Sequence, residues 1–294
     1  SFLSIAFLMV VLYRPMAHRI NTIIKTPGHQ KSENLSPTAS NNQTSENSVN
    51  SYQALNRIDS AEAEWAVTGK QTTNLADYLM NMDSRSSRQP ALKHAMDLWQ
   101  AKIEIKPYLN AIDDDQAFFR LSAKPGGLFI HRVETDMNLL KKLNLPAILE
   151  FYPPGSTTPG YLTLSNMDGN KIILRGKQEN DVILTDLEEL EFYWSGVAYL
   201  PWKNFHSIWG TIPVQSYKDS IITLKLLLQD IGFKEVEIND VYDGLTQEAV
   251  EKIQAKYGIP IDGFVGPLTK IILYKEIDSF EMPQIIKKDK TLHP

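Results

Sequence analysis

Near its C-terminal end the chain repeats a short pattern, NDVYDGLT from Asn239 to Thr246 and DGFVGPLT from Asp262 to Thr269. Both copies end in Thr and both carry an aromatic residue, Tyr242 or Phe264. A turn used twice, each time ahead of a helix, constrains the fold more than any other feature here. It implies a small pseudo-symmetric helical unit that presents two matching loops on one face. Before the first copy, Ile221, Ile222, Leu224, Leu226, Leu227, Leu228 and Ile231 are too densely apolar for an exposed helix. Gly232 supplies a left-handed stop for that helix, with Phe233 folding back on it. Between the copies, Ala249, Val250, Ile253 and Tyr257 mark one buried helical face, and Gly258 and Pro260 end that helix. Thr246 and Thr269 are the expected N-caps of the second and third helices, the third burying Ile271, Ile272 and Leu273. The unit runs from about 215 to 278, near the lower size limit for a self-sufficient core.

The segment from Ile222 to Tyr274 resembles the peptidoglycan-binding domain found on many bacterial cell-wall proteins. The residues that carry the likeness are LKLLLQDIGF, NDVYDGLT, AVEKIQAKYGIP and DGFVGPLT. The second turn follows the family's DGxxGPxT pattern closely. The first departs from it, with Asn239, Asp240, Asp243 and Gly244 standing for Asp, Gly, Gly and Pro. These replacements are still turn-forming residues. The resemblance implies peptidoglycan as a binding partner. The residues expected at the ligand are Tyr242 and Phe264 as apolar faces, with Asn239, Asp240, Asp262, Thr246 and Thr269 as hydrogen-bonding groups and Tyr257 beside them. Taken one by one, turn chemistry explains the same residues: the Asx side chains tie their own turns, the threonines cap helices and the aromatics fill the core.

A chain of 294 residues holds about two domains, and a hydrophobic content of 43% is enough for real cores. The net charge of −5 excludes the basic stripe a nucleic-acid binder needs. With no cysteine, the chain has no thiol nucleophile, disulfide or cysteine-ligated zinc. The six histidines show no His-Glu-x-x-His spacing, so no metal or other cofactor is expected. Asp113, Asp114 and Asp115 form an acidic run that reads as a solvated loop before it reads as a cation site. No phosphate-binding GxxxxGK[ST] loop and no GxSxG elbow occurs.

The apolar run from Ser1 to Tyr13 is shorter than the ~20 residues a membrane helix needs. It reads as the remaining part of a single span, with a signal-peptide core as the rival account. Arg14, Arg19 and Lys25 follow it and, by the positive-inside rule alone, would place the remainder in the cytoplasm. Residues 26–50 are Ser, Asn, Thr, Gln and Pro with little apolar content, a composition expected to be a disordered tether.

From 51 to 212 the pattern is mixed α+β. Helices are expected over Tyr52–Trp65, over Leu75–Met82, from Pro90 onward with Leu92, Ala95, Met96 and Trp99 on one face, and over Leu139–Leu143. Phe118 and Phe119 sit in a short segment before Pro125-Gly126-Gly127. Strands are expected at 147–152, 160–165, 171–176 and 196–200, the first three joined as an antiparallel meander. Thr185 to Leu190 reads as a capped helical turn, and Trp194, Trp202 and Trp209 as packing residues.

The order LKHAMDLW, LNLPAILEFY, GYLTLSNMDGNKIIL, LTDLEELEFYWSGVAYLPW resembles the papain-like (C39-like) bacteriocin-processing peptidase fold in a degenerate form. Followed by the helical unit, it resembles the periplasmic half of the general secretion pathway A family. That family joins a cytoplasmic AAA ATPase, one membrane span, a degenerate peptidase domain and a peptidoglycan-binding domain. The expected organisation is therefore an anchor over 1–25, a linker over 26–50, the peptidase-like domain over 51–212, the peptidoglycan-binding domain over 215–278 and a tail over 279–294.

The peptidase chemistry does not carry over. The Cys expected just before the helix near Pro90 is missing, Pro159 and Gly160 stand where the His belongs, and Arg175 and Gly176 where the orienting Asp belongs. No catalytic residue is therefore expected within this chain. What the family implies is a single-pass inner-membrane protein with its body in the periplasm, binding peptidoglycan and type II secretion components such as the secretin or an inner-membrane partner. Self-association is left open. The rival readings are a wall hydrolase with a murein-targeting module, and a protein-binding scaffold.

Overall fold

A computed structural model describes residues 72–286 apart from 179. The expected anchor, the linker, the helix over Tyr52–Trp65 and the last residues of the tail lie outside the described residues. No helix among the described residues is long and apolar enough to cross a membrane.

The fold is α+β. It opens with β1 (Thr72–Asn74), α1 (Leu75–Met80), α2 (Arg88–Leu98) and α3 (Asp115–Ala123). Next come β2 (Phe129–Glu134), α4 (Met137–Leu143), β3 (Ala147–Phe151), β4 (Gly160–Asp168) and β5 (Lys171–Arg175). The sheet part ends with β6 (Val182–Asp186), α5 (Leu187–Tyr193) and β7 (Trp194–Trp202). Three helices follow, α6 (Lys218–Ile231), α7 (Gly244–Tyr257) and α8 (Pro267–Lys275).

The helix starts are written in short polar side chains. Asn74, Asp114, Asp136 and Asp186 each accept a backbone N–H in the first turn of α1, α3, α4 and α5. Asp186, the last residue of β6, is thus the cap of the helical turn expected over Thr185–Leu190. α2 starts two residues before Pro90, so the proline occupies a first-turn position where no intrahelical N–H is lost. Phe118 and Phe119 belong to α3, a helix the short apolar segment did not announce.

The strands form one sheet in the order β1-β6-β5-β4-β3-β7-β2. The β3-β4-β5 meander is present, and all pairings are antiparallel except β1 with β6. β1, β2 and β6 were not foreseen. FIHRVE and VILTD are short runs without the strict polar alternation that flags a strand. Among the described residues β2 forms one edge of the sheet and pairs with β7 alone.

The sheet is buried on both faces, with period-two sorting of its residues. Ile148, Tyr161, Val197 and Tyr199 pack with Leu92, Met96, Phe118 and Phe119 of α2 and α3. Leu149, Leu162, Leu164, Ala198 and Leu200 face the other way. There they share one continuous core with α1, α4 and all three C-terminal helices. Arg88 is the main polar group under α2. It is buried, pairs with Asp115 at 2.8 Å and lies 4.4 Å over the Phe118 ring.

The helical module is held by Lys142 of α4, which donates to Lys256 O of α7 at 3.0 Å, and by the connection that follows β7. Tyr274 Oη donates to Asn204 Oδ1 at 2.8 Å, inside an aromatic cluster of Phe205, Tyr274 and Phe280. Buried Lys270 donates to the carbonyls of Ile208 and Gly210. Ile212 and Val265 form a two-bond β-bridge. Beyond α8 the chain returns to the sheet, where Ile285 O accepts from Met167 N at 2.7 Å and Ile286 N donates to Asn144 Oδ1.

Candidate functional site

Each repeated turn is organised by one long side chain from a preceding helix. In the first turn this is Lys225 of α6, whose side chain is fully buried. Its Nζ donates to Asn239 Oδ1 at 2.7 Å and to Asp243 Oδ2 at 2.6 Å. Asp243 Oδ1 in turn accepts from Thr246 N and Thr246 Oγ1, so Asp243 rather than Thr246 caps α7. The hydrogen bond from Lys225, aided by those from Thr246, holds the Asp243 carboxyl down to about 2. Asn239 Oδ1 also closes its own turn by accepting Val241 N, and Asp240 pairs with Lys218 at 2.6 Å.

In the second turn the organiser is Gln254 of α7, a buried amide with every polar atom used. Its Nε2 donates to Asp262 Oδ1, Phe264 O and Thr269 Oγ1, and its Oε1 accepts from Asp262 N and Gly263 N. Asp262 Oδ1 further accepts Phe264 N, and Thr269 Oγ1 donates to Phe264 O. Thr269 is not a cap either. Gly266 precedes α8 without a side-chain cap bond, and Pro267 supplies the fixed φ at its first position. Tyr242 Oη donates to Gly263 O, so the two turns touch each other.

Superposing the repeats residue for residue sets Val241 against Phe264 and Tyr242 against Val265. Burial follows this register. Val241 is 58% exposed and Phe264 40%, whereas Val265 is fully buried and Tyr242 packs on the core. Of the two aromatics nominated as ligand faces, only Phe264 presents one. Tyr257 is also core: it is buried, and its hydroxyl donates to Glu276 Oε1 at 2.7 Å.

Phe264 forms one wall of a cleft of about 520 Å³. Ile259, Pro260, Pro267 and Leu268 add apolar lining, with Gln254, Asp262 and Thr269 as polar points. The remaining wall comes from outside the repeat: Thr211, Val214 and Gln215 of the connection, and His131 of β2. Burial holds the His131 imidazole below its ordinary value. Sequence reasoning missed these four residues, and no local pattern marks them; they meet the turn only because the module docks on the sheet. A cleft of this kind, apolar with a few convergent polar groups, suits a ligand with an apolar face and hydrogen-bonding edges.

The other sequence candidates resolve into structural contacts. Asp113 pairs with Arg85 and Asp115 with Arg88, while Asp114 caps α3. Ahead of α2, the buried Ser87 Oγ donates to Ser84 O and accepts Tyr161 N at 2.8 Å. Met82 packs against Gly160 so closely that a Cβ there would collide with it. His94 bonds Gly176 O, and His206 stacks near Tyr274 and Phe280. No group of metal-ligating side chains occurs among the described residues. Trp194 and Trp202 are buried, whereas Trp209 is half exposed and lies edge-on to Phe129.

Several solved structures are similar to this chain at low identity. A periplasmic domain of the EpsAB fusion protein of the Vibrio vulnificus type II secretion system overlaps 70% of this chain and 83% of its own, with 16% identity and a TM-score of 0.41. The peptidase domain of Streptococcus ComA, a bifunctional ABC transporter in quorum sensing, overlaps 42% of this chain and 96% of its own, with 19% identity and a TM-score of 0.35. The N-terminal peptidase C39-like domain of a toxin secretion ATP-binding protein from Vibrio parahaemolyticus overlaps 42% and 99%, with 18% identity and a TM-score of 0.33. No curated protein matches the chain. Residues 217–273, which hold the three C-terminal helices and both repeated turns, match the family described as "Putative peptidoglycan binding domain".

Proposed function

We propose that this chain is the non-catalytic, wall-facing part of a membrane-anchored assembly factor that holds a type II secretion complex to peptidoglycan. The observation that carries the reading is the open cleft beside Phe264, most of whose lining belongs to the segment that matches the peptidoglycan-binding family. The hydrogen-bonding groups of the turns are largely engaged with one another, so the turns act as a rigid frame, and the cleft they frame is the ligand-facing part. The secretion context rests on the order of the two sequence patterns. In the same reading the N-terminal apolar run anchors the chain in the inner membrane, the polar segment sets its reach and the folded body stands in the periplasm. A second, weak attachment to the wall then gains strength through effective concentration and helps position the secretin. In this reading the sheet part serves as a scaffold: there is no cysteine ahead of α2, and the hydroxyl of Ser87, which directly precedes that helix, bonds main-chain groups rather than a base.

Co-sedimentation with purified murein sacculi tests this proposal. The unaltered chain should pellet with the sacculi and release no soluble fragments. Phe264→Ala should weaken retention about tenfold, the equivalent of ~1.4 kcal/mol. A chain that stays in the supernatant sinks the wall-binding reading, and release of fragments replaces it with a hydrolase. Point variants suit this test better than removal of 215–294, which would strip a shared core.

A further inference from the structure

Among the described residues the outer edge of β2 has no strand partner, yet β2 lines a groove. A second cleft of about 600 Å³ runs from Arg132 to Thr135 on one side and from Tyr257 to Pro260 on the other. It shares Ile259, Pro260 and Leu268 with the cleft beside Phe264, so the two adjoin at those residues. We propose that the combined groove reads two chemically different parts of one ligand, with sugar against Phe264 and the attached murein stem peptide along β2. This rests on the wall-binding reading and goes beyond it, because β2 lies outside the matched segment 217–273.

Three observations favour the peptide. A free strand edge offers main-chain donors and acceptors, which suit amide groups better than sugar hydroxyls. The lining edge from His131 to Thr135 extends about 15 Å at ~3.3 Å per residue, comparable to an extended tetrapeptide. Charges of both signs line the second cleft: Arg132 pairs with Glu134 at 2.9 Å, Asp136 caps α4 and Lys142 donates to Lys256 O. A stem peptide, with free carboxylates and an amine, can exchange with the partly exposed Arg132–Glu134 pair. The covalent link between sugar and peptide in murein parallels the adjacency of the two clefts.

The test uses the full chain and three probes: a disaccharide-tetrapeptide from murein, the same disaccharide with its peptide removed, and the free tetrapeptide. Binding is followed by calorimetry. The peptide-bearing fragment should bind at least tenfold tighter than the bare disaccharide. Arg132→Glu, a partly exposed substitution, should reduce that ratio at least fivefold while leaving disaccharide affinity within twofold. Leu268→Arg, at the junction, should weaken both fragments, with an unchanged melting temperature checking its fold. Equal binding of the two fragments, or a ratio that Arg132→Glu leaves unaltered, overturns the peptide groove while sacculus binding still stands. An all-L peptide of the same length competing as well as the murein peptide overturns the murein assignment and points to a protein segment. If neither the fragments nor sacculi bind, the wall-binding reading fails as well.

Discussion

Lys225 and Asp243 form the most consequential pair in the module, since a fully buried ammonium depends on one partly exposed carboxylate and one amide oxygen. Asp243→Ala removes the charge partner and the cap of α7 together. Chemical denaturation of this variant should show a loss of about 3 kcal/mol, most of it from the uncompensated buried lysine. Lys225→Met should cost less, because an apolar chain of similar volume needs no partner there. The same pair sets an acid response. Asp243 is held down to about 2 in the folded chain, below the ordinary carboxylate value, so its contribution is complete above about pH 4. It is lost as pH falls through about 2. The stability gap between the unaltered chain and Asp243→Asn should therefore narrow steadily over that window, and a gap that is constant with pH would contradict the assignment.

The second turn depends on backbone geometry and on one amide. Gly263 has φ +68°, and a Cβ there would lie 2.9 Å from Gln247 Cγ. Gly263→Ala should cost about 1–2 kcal/mol from the left-handed backbone alone, read as a lowered denaturation midpoint. Gln254→Leu keeps the volume but leaves the Asp262 and Gly263 N–H groups without their acceptor. It should destabilise by about 1–3 kcal/mol and loosen Phe264, visible as faster amide exchange from Asp262 to Thr269. The threonines of the two turns are secondary in this frame. Thr246 and Thr269 sit inside the first helical turn and reinforce a start that Asp243 and Pro267 set.

Over the whole molecule, the module and the sheet part bury a common core that reaches from Leu75 to Ile285. Calorimetry should accordingly show one unfolding transition for the described residues, and two separated transitions would refute the shared core. Ile285 is fully buried although it lies beyond the last helix. Ile285→Ala should lower stability by about 2 kcal/mol, at the small end for a core isoleucine because a terminal segment can readjust. Docking also builds the groove, since His131 and the connection around Thr211 reach the second turn only when Lys270 and Tyr274 hold the module in place.

Local chemistry determined a good deal on its own. Periodicity and glycine stops gave the three C-terminal helices, the meander followed from its turns, and the near-identity of DGFVGPLT to a known pattern marked the module. Those features are legible because caps, turns and amphipathic faces act over a few residues. The edge strand β2, the register that buries Tyr242 while exposing Phe264, and the four outside residues of the cleft were decided by tertiary packing. Which side of a turn meets the core, and which distant strand completes a pocket, depend on contacts between residues from tens to more than a hundred positions apart. No local pattern records them.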